Sequence, residues 1–404
     1  MKCSAKNRIA TVLAAVAALV SAVSAGTPEV KGVKLGFIAL TDCAPLVVAK
    51  EKGLFAKYGM PETEVVKQAS WAATRDNLEL GAARGGIDGA HLLTPMAYQL
   101  SLGIGTKSGL VAMNILARLN LNAQAISAEK ELAGMSVRNA GKLKGTHQKL
   151  AMTFPGGTHD LWIRYWLAGN GLDPDKDVSL MTVPPPQMVA NMKTGNMDAF
   201  CVGEPWGQQL IDQKQGYTVT TTQEIWKDHP EKSLALRKEW VDKNPEAAKA
   251  LLKAVMEAQI WADKPENKAE LAQMLSARNW INCPAADLLP RLKGDVSYGD
   301  ARPSHTNDPM VFWARNASFP YKSHDKWFLA EMRRWGFFPK GVEYDKVVNA
   351  VNRSDIWRKA AAEIGQKAPA SDSRGVETFF DGVKFDPANP EAYLASLKIK
   401  HLTK

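Results

Sequence analysis

Cysteine is scarce in this chain of 404 residues, and its spacing excludes several classes of structure. Only four cysteines occur. Cys3 lies near the N-terminus, and the other three, Cys43, Cys201 and Cys283, are far apart and odd in number, so we expect no disulfide framework. A single disulfide between Cys43 and Cys201 remains an alternative. No Cys-x-x-Cys, His-x-x-x-His or carboxylate cluster has metal-ligand spacing, so the sequence predicts no metal and no cofactor.

The motifs of common enzymes are also missing. The chain has no Gly-x-Ser-x-Gly elbow, no dinucleotide-binding Gly-x-Gly-x-x-Gly and no phosphate-binding loop with its lysine. His159 with Asp160 and His324 with Asp325 are the candidate acid–base pairs. Neighbouring residues on a helix point about 100° apart, so neither pair forms a catalytic contact. The sequence therefore favours a binding protein over an enzyme.

A strongly charged segment is lacking as well. The formal net charge is +9, and the lysines and arginines are scattered among acids without a basic, aromatic-rich run. This pattern excludes a nucleic-acid-binding protein. A mild positive excess suits an anionic solute without identifying one.

One apolar run does occur, at the N-terminus. Lys2, Lys6 and Arg8 precede an apolar stretch over residues 9–23, which ends in Ser24-Ala25 before Gly26. This layout predicts a signal peptide over residues 1–25, and the stretch is short against the about 20 residues of a membrane span. Because Cys3 lies before the apolar stretch and not at the cleavage site, we expect no lipid anchor. The mature chain is predicted to be soluble and periplasmic.

Strand-like and helix-like segments alternate after the leader. Strands are predicted over residues 33–40, 64–68, 88–93, 149–154, 179–183 and 199–202, with helices between them. Thr94-Pro95 opens a helix in the favoured order of cap and proline. This alternation predicts an α/β protein of two lobes, each a mostly parallel sheet flanked by helices. The ligand of such a fold lies in the cleft between the lobes.

The predicted lobes are discontinuous in sequence. Lobe I comprises residues 27–126 and 223–404, and lobe II comprises residues 127–222. Helices dominate the C-terminal part, among them one predicted over residues 308–317, and they complete lobe I. The turn-rich segment 379–387 is predicted to run over the surface.

The most distinctive local feature is a glycine-containing passage from strand to helix. The segment 149–154 reads as a strand, Pro155-Gly156-Gly157 follows it, and His159 stands at the opening of an apolar helix. Backbone N–H groups are unpaired at a helix N-terminus, which favours an anion there. The sequence thus points to anion binding before it points to catalysis.

Several longer stretches carry a family resemblance. They are residues 36–42 (Gly-Phe-Ile-Ala-Leu-Thr-Asp), 67–77 (Lys-Gln-Ala-Ser-Trp-Ala-Ala-Thr-Arg-Asp-Asn), 85–91, 152–160, 201–206 (Cys-Val-Gly-Glu-Pro-Trp), 226–232 and 321–325. Together they resemble the substrate-binding component of bacterial nitrate ABC transporters, a family shared with bicarbonate-binding proteins. The likeness extends over nearly the whole mature chain, from about residue 33 to residue 400.

The resemblance implies a two-lobed clamp of the type II periplasmic binding proteins. Such a clamp closes on nitrate, or on the smaller nitrite, and delivers it to a membrane permease driven by ATPase subunits. Carried over position by position, the anion contacts fall on the side chains of Trp71, Gln124, His159 and Lys232 and on the backbone at Pro185, Val202 and Gly203.

The chemistry of these residues fits an anion that accepts hydrogen bonds and donates none. Trp71 offers one indole N–H, Gln124 two amide N–H groups, His159 a ring N–H and Lys232 a positive charge. By residue type alone, a core tryptophan, a loop glutamine, a capping histidine and a surface lysine beside Glu231 are the ordinary alternatives. The site is expected to consist of donors only.

Lys232 bears on the identity of the ion. In the bicarbonate-binding relatives, the resemblance places at this position a carboxylate that helps to hold calcium. Because a lysine repels calcium and supplies its own charge, the chain resembles the nitrate type. A bicarbonate-binding protein remains the first alternative, followed by an enzyme like those of thiamine-precursor synthesis, which share the fold, and by a cytoplasmic nitrate sensor.

Four further residues near the predicted site receive supporting roles. Glu204 and Trp206 are assigned to the hinge or the cleft lining, since a carboxylate facing nitrate repels it. Asp42 and Asp160 are interpreted as helix-capping or first-turn acids, because each follows a predicted strand.

Overall fold

A computed structural model describes residues 26–306 and 309–402. The predicted signal peptide, residues 1–25, lies outside the described residues. Ten strands form the two main sheets, and four two-residue strands form two small ribbons. The strands are β1 (Lys34–Phe37), β2 (Glu64–Lys67), β3 (Gly89–Leu93), β4 (Met113–Arg118), β5 (Gln124–Ala128), β6 (Lys149–Met152), β7 (Ser179–Thr182), β8 (Ala199–Gly203), β9 (Tyr217–Thr221), β10 (Lys232–Arg237), β11 (Asp295–Val296), β12 (His305–Thr306), β13 (Glu377–Thr378) and β14 (Lys384–Phe385).

The two sheets have the same layout. The first has the strand order β2-β1-β3-β10-β4 and the second β7-β6-β8-β5-β9. In each sheet four strands run in one direction, and the fourth strand in the order, β10 or β5, is antiparallel to both neighbours. The prediction of two mostly parallel sheets is confirmed, with one reversed strand in each.

The chain crosses between the sheets twice. After β4, residues 119–123 lead into β5 of the second sheet, and after β9, residues 222–231 lead back into β10 of the first. The two crossings are bonded to each other, since the Leu119 amide donates to the Lys232 carbonyl at 2.8 Å and Leu121 bridges Pro230. The exact limits of the two lobes stay a prediction. Both crossings, residues 119–123 and 222–231, lie close to the predicted limits.

Helices cover both sheets. The α-helices are α1 (Ala44–Glu51), α2 (Leu54–Lys57), α3 (Trp71–Leu80), α4 (Thr94–Ser101), α5 (Thr158–Gly169), α6 (Met188–Lys193), α7 (Trp206–Asp212), α8 (Thr222–Ile225), α9 (Lys238–Lys243), α10 (Pro245–Asp263), α11 (Lys268–Ser276), α12 (Ala285–Lys293), α13 (Lys322–Arg334), α14 (Tyr344–Val351), α15 (Ser354–Glu363) and α16 (Pro390–Ser396). Short 3₁₀ turns lie at Thr41–Cys43, Ala82–Arg84, Lys130–Leu132, Gly141–Leu143, Pro185–Gln187, Pro265–Asn267 and Ala314–Asn316. Within the described part of the chain, no helix is both long and apolar enough to cross a membrane.

Local sequence explains where the helices near the cleft begin. The Ser70 hydroxyl accepts the Ala73 amide at 3.1 Å, so α3 starts at Trp71. Pro95 lies in the first turn of α4, as predicted, where its missing N–H costs no hydrogen bond. Both helices start directly at the C-terminal edge of the first sheet, which brings Trp71 to the same edge as the end of β3.

The helix predicted over residues 308–317 is wrong. Residue 308 lies outside the described residues, residues 309–313 are irregular, and the short turn at Ala314–Asn316 contains non-helical backbone. Arg315 and Asn316 have φ values of 57°, which is the left-handed region, and a right-handed helix cannot pass through it.

Segment 379–387 runs over the surface at its exposed residues Gly382, Lys384 and Asp386, as predicted, but buried aromatic side chains anchor it. Phe379, Phe380 and Phe385 are buried in the core. Phe379 packs on Trp226 and Trp327, with ring centroids 5.2 and 5.5 Å apart. Burial of three aromatic side chains outweighs the turn-forming tendency of the residues between them.

Candidate functional site

The candidate residues of the first sheet meet at its C-terminal edge. Asp42 follows β1, and Trp71 opens α3 after β2. Because β10 is reversed, its first residue, Lys232, lies opposite Leu93 at the end of β3. One sheet edge therefore presents a carboxylate, an indole and an ammonium group to the same space.

The second sheet contributes from its equivalent edge. His159 lies in the first turn of α5, after β6, and Gln124 is the first residue of the reversed strand β5. Gln124 pairs with Gly203 at the end of β8, and Val202 pairs with the next residue of β5. A Cβ atom on Gly203 would lie 2.7 Å from Gln124 Oε1, so only glycine leaves room for that amide.

Lys232 lies at the centre of the site, between two carboxylates. Its Nζ lies 2.6 Å from Glu231 Oε1 and 3.0 Å from Asp42 Oδ2, and all three side chains are fully buried. Burial lowers the pKa of Lys232, but attraction to Asp42 and Glu231 outweighs it and raises the pKa above its ordinary value. Lys232 thus keeps its positive charge in a dry environment.

Asp42 has a second partner, His91 on β3. Its Oδ1 lies 2.6 Å from His91 Nε2. Burial raises the pKa of Asp42, yet Lys232 and His91 outweigh burial and hold it well below its ordinary value. Asp42 is therefore an ionised carboxylate, fixed between an imidazole and an ammonium group.

A hydrogen-bonded chain continues from Asp42 into the second lobe. Gln124 Nε2 donates to Asp42 Oδ2 at 3.2 Å, and Gln124 Oε1 lies 2.6 Å from His159 Nε2. His159 Nδ1 lies 2.5 Å from the Thr153 hydroxyl. Since an amide oxygen only accepts, His159 carries a proton on Nε2. Burial holds the pKa of His159 well below its ordinary value.

Trp71 stands out because its single side-chain donor is unused. Its indole Nε1 is buried and has no hydrogen-bond partner among the described residues. The ring centroid lies 5.9 Å from Lys232 Nζ and 5.5 Å from the His91 ring. A buried N–H without an acceptor costs free energy, so this atom calls for a ligand acceptor.

Glu231 connects the site to an aromatic cluster. Its carboxylate accepts hydrogen bonds from Thr158 and, at 2.9 Å, from Trp162 Nε1. Trp162 stacks on Trp327 with ring centroids 5.0 Å apart. Burial raises the pKa of Glu231.

The expectation of donors only is wrong. Asp42 and Glu231 both lie against Lys232. Asp42 does fall in the first turn of a short helix, as predicted, but its carboxylate pairs with Lys232 and makes no cap. Asp42 and Lys232 are 190 positions apart in the sequence, so no local pattern encodes their contact. The usable signal in the sequence was that Asp42 follows a predicted strand.

The glycine-containing passage from strand to helix differs from the prediction of unpaired N–H groups there. The Gly156 amide donates to the Asp160 carboxylate at 2.7 Å, and the Gly157 amide donates to the Phe154 carbonyl at 3.0 Å. Both amides are therefore already hydrogen-bonded to neighbouring residues. Asp160 is a first-turn acid of α5, as predicted, and it also binds Arg164 at 2.8 Å.

Pro185 lies apart from the other candidates. It is buried in the 3₁₀ turn after β7, where its carbonyl accepts the amide of Met188. In the sheet order β6 lies between β7 and β8, so Pro185 is separated from Gly203 by one strand. The structure places it at the same sheet edge without joining it to the hydrogen-bonded chain.

Glu204 and Trp206 link the two lobes beside the site. The Thr41 amide donates to the Glu204 carbonyl at 2.7 Å, and Trp206 Nε1 donates to the Ala39 carbonyl at 3.1 Å. Their contacts fit the predicted hinge or lining role. Cys43 and Cys201 are buried free thiols, so they form no disulfide.

In both candidate acid–base pairs, the histidine and the aspartate contact different partners. Asp160 faces Arg164, away from the partners of His159. Asp325 forms a buried ion pair with Arg118, whereas the His324 ring packs against Trp226 at 5.6 Å. Neither histidine contacts its neighbouring aspartate, which agrees with the sequence argument against such pairs.

Outside this site, the described residues include one group with possible metal-ligand geometry. Asp173, Asp175 and His401 offer ligand atoms within 4.8 Å of one another. Arg164 Nη1 lies 2.9 Å from Asp175 Oδ1, and His401 Nε2 lies 2.9 Å from Asp173 Oδ1. These contacts already balance the carboxylates, so the group is explained as an ion-pair network that fastens the C-terminal segment.

Comparison with known protein families places this chain in one of them. A model described as the NMT1-like family matches residues 26–276. The chain belongs to the NMT1-like family. It is 58% identical over 387 residues to the nitrate/nitrite binding protein NrtA of Synechococcus elongatus, covering 92% of this chain and 87% of that protein. It is 42% identical over 403 residues to the bicarbonate-binding protein CmpA of a Synechococcus species, covering 94% and 89%.

A solved structure agrees with these relatives. The crystal structure of the periplasmic nitrate-binding protein NrtA from Synechocystis superposes with a TM-score of 0.91 at 54% identity, covering 93% of this chain and all of that chain. The family resemblance inferred from the sequence motifs is confirmed, and so is the two-lobed fold.

Proposed function

We propose that this member of the NMT1-like family is the periplasmic substrate-binding component of a nitrate ABC transporter. It binds nitrate, or the smaller nitrite, at the junction of the two sheets and hands it to a membrane permease driven by ATPase subunits. The observation that carries this proposal is a buried ammonium, Lys232 Nζ, 5.9 Å from the ring of Trp71, whose buried indole N–H has no partner.

The proposed contacts are the side chains of Trp71, Gln124, His159 and Lys232 and the backbone at Pro185, Val202 and Gly203. Gln124 Nε2 and His159 Nε2 now donate to oxygen atoms of the protein, at 3.2 and 2.6 Å. An oxyanion offers oxygens to the same N–H groups and one to the indole of Trp71. Since nitrate has three acceptor oxygens and no donor, it suits this set of N–H groups.

Bicarbonate is the alternative ligand. It carries a hydroxyl donor, and the resemblance associates it with a bound calcium ion. In this chain the position between Asp42 and Glu231 is taken by the ammonium of Lys232, at 3.0 and 2.6 Å. A divalent cation there would have to displace a buried positive charge, which is costly. The higher identity to the nitrate/nitrite binding protein than to the bicarbonate-binding protein, 58% against 42%, points the same way.

We infer a transport role without catalysis, which the similarity to binding proteins supports. The buried polar groups are bonded in a chain that surrounds a binding position, and neither histidine–aspartate neighbour pair forms an acid–base contact. The predicted signal peptide supports export, and the similarity to a periplasmic protein supports the same compartment.

A ligand panel tests this proposal. The thermal unfolding of the purified mature chain should be measured with nitrate, nitrite, sulfate, bicarbonate, and bicarbonate with calcium. Nitrate and nitrite are expected to raise the midpoint with increasing concentration, because a ligand that binds only the folded state stabilises it. Stabilisation by bicarbonate with calcium, and not by nitrate, would favour the alternative.

A further inference from the structure

The candidate site holds more negative than positive charge. Lys232 is its one ammonium among the described residues, and both Asp42 and Glu231 lie within 3.0 Å of it. Another buried cation of the first sheet, Arg118 at the end of β4, is already paired with Asp325. If the proposed function holds, a nitrate ion adds a third negative charge to a fully buried cluster. Uncompensated buried charge is strongly unfavourable, so binding requires a further positive charge.

Protonation of a buried imidazole supplies that charge, and protonation of Glu231, whose pKa burial raises, is the competing route. The two imidazoles nearest the binding position are His159 and His91. His159 faces an oxygen with each ring nitrogen, Thr153 Oγ1 at 2.5 Å and Gln124 Oε1 at 2.6 Å. Because a hydroxyl both donates and accepts, the Thr153 hydroxyl rotates to accept from a second ring N–H. His159 thus takes up a proton without losing either hydrogen bond.

His91 lacks this freedom. Its Nε2 faces Asp42 Oδ1 at 2.6 Å, but its Nδ1 accepts the backbone amide of Ile38 at 3.5 Å. A proton on Nδ1 would point at that N–H group, which cannot accept. A doubly protonated His91 therefore loses one contact.

We propose that capture of the anion is coupled to the uptake of one proton by His159, so that the bound state contains two buried cations, Lys232 and the His159 imidazolium. This inference deepens the proposed function and rests on it. The proton comes from solvent and ends on His159 Nδ1, where it donates to Thr153. Release of the anion returns the proton to solvent.

The surroundings of His159 favour this exchange. The charged or titratable groups that face it from neighbouring elements are Asp42, His91, His229, Glu231 and Lys232. Of these, Glu231 Oε1 lies 4.0 Å from His159 Nε2 and stabilises an imidazolium. Without a bound anion, burial and the Lys232 charge hold the pKa of His159 well below its ordinary value. The imidazole is therefore neutral until an anion arrives.

Calorimetry in two buffers measures the coupling. Nitrate is titrated into the mature protein near pH 8, in one buffer with a small and one with a large enthalpy of ionisation, and the difference in heat gives the protons bound per nitrate. The expected result is about one proton, with affinity falling about tenfold per pH unit as the pH rises. Nitrate binding with no proton uptake overturns this inference alone. Absence of nitrate binding at every pH overturns the proposed function.

Two variants test whether His159 is the group that takes up the proton. His159→Gln keeps an N–H near the Nε2 position but cannot become a cation, and His147→Asn, at an exposed histidine, is the control. The control is expected to match the wild type, and His159→Gln to bind more weakly with no proton uptake. Uptake that persists in His159→Gln places the proton on another group, His229 or Glu231, and overturns the assignment. If His159→Gln fails to fold or bind, nitrogen NMR of the wild-type histidines decides, because an imidazolium signature for His159 must appear with nitrate.

Discussion

Gln124 and Lys232 hold equivalent positions in the two halves of the molecule. Each is the first residue of the one reversed strand of its sheet, and each lies opposite the last residue of a parallel strand, Gly203 for Gln124 and Leu93 for Lys232. Each also follows directly on a crossing between the sheets. Both residues therefore lie where the chain passes between the sheets, and the remaining candidate contacts come from the sheets on either side.

The indole N–H of Trp71 should contribute to affinity and little to stability. Trp71→Phe keeps an aromatic wall and removes the unpartnered donor. Nitrate affinity is expected to fall about tenfold or more, since hydrogen bonds to charged groups contribute about 1.5–3 kcal/mol. Calorimetric titration measures the change.

Trp327→Phe is the matched control for that variant. Trp327 is also fully buried with an indole N–H that has no partner among the described residues, but it lies in the aromatic cluster with Trp162. Both variants should lose a similar, small amount of stability from the smaller ring. Equal losses of nitrate affinity in the two would remove Trp71 from the site.

The missing side chain of Gly203 should matter for binding. Gly203→Ala places a methyl group 2.7 Å from Gln124 Oε1 and 3.3 Å from a Leu40 methyl. Gln124 is expected to shift away from His159, with about a tenfold loss of nitrate affinity, a cost of about 1.4 kcal/mol. Gly141→Ala is the control, because its added Cβ meets only Asn139 Oδ1 at an ordinary 3.5 Å. Unchanged affinity in Gly203→Ala would show that the position of Gln124 is not critical.

Lys232 should be required for both binding and stability. Lys232→Gln leaves Asp42 and Glu231 buried without their cation, and breaking such a pair costs about 3–5 kcal/mol. We expect nitrate binding to be lost and the unfolding midpoint to fall, with partial recovery at lower pH as the carboxylates become protonated. Lys227→Gln, at an exposed lysine, should change neither quantity. A Lys232→Gln protein that retains wild-type nitrate affinity is incompatible with the proposed site.

The sequence predicts much of the fold and a smaller part of the site. Helices and strands with strong periodicity, such as α5 and β3, lie within a few residues of their predicted limits. β4, β5, β9 and β10 were missed. Polar residues interrupt the apolar pattern of β5 and β9, and β10 pairs with strands distant in sequence. This is why Gln124 resembles a loop residue until the sheet is assembled. The pairing of Asp42 with Lys232 was missed for a related reason, since Lys232 is brought near Asp42 only by the return crossing.

His324 should make stability depend on pH. Burial is the main cause that lowers its pKa to about 3, below the ordinary value of 6.5, and it outweighs the Glu377 carboxylate, whose Oε1 lies 3.7 Å from His324 Nε2. The unfolded chain therefore binds the proton first. Stability is complete above about pH 6.5 and falls by about 1.4 kcal/mol per pH unit below it for this one group, until the pH reaches about 3.

Urea unfolding between pH 7 and pH 4 measures this effect. His324→Phe fits the surrounding aromatic rings and cannot bind a proton. Its free energy of unfolding should fall less steeply with decreasing pH than that of the wild type, whereas His147→Asn should keep the wild-type slope. Identical slopes in His324→Phe and the wild type would mean that His324 is not a buried neutral imidazole.

Calorimetric titration of the mature protein with nitrate, in the presence of a calcium chelator, tests the proposed nitrate site most directly. The buried ammonium of Lys232 predicts binding of one nitrate per chain, with the same affinity when calcium is supplied in place of the chelator, and no binding of bicarbonate under either condition. Bicarbonate binding that requires calcium, together with no heat from nitrate, would contradict it.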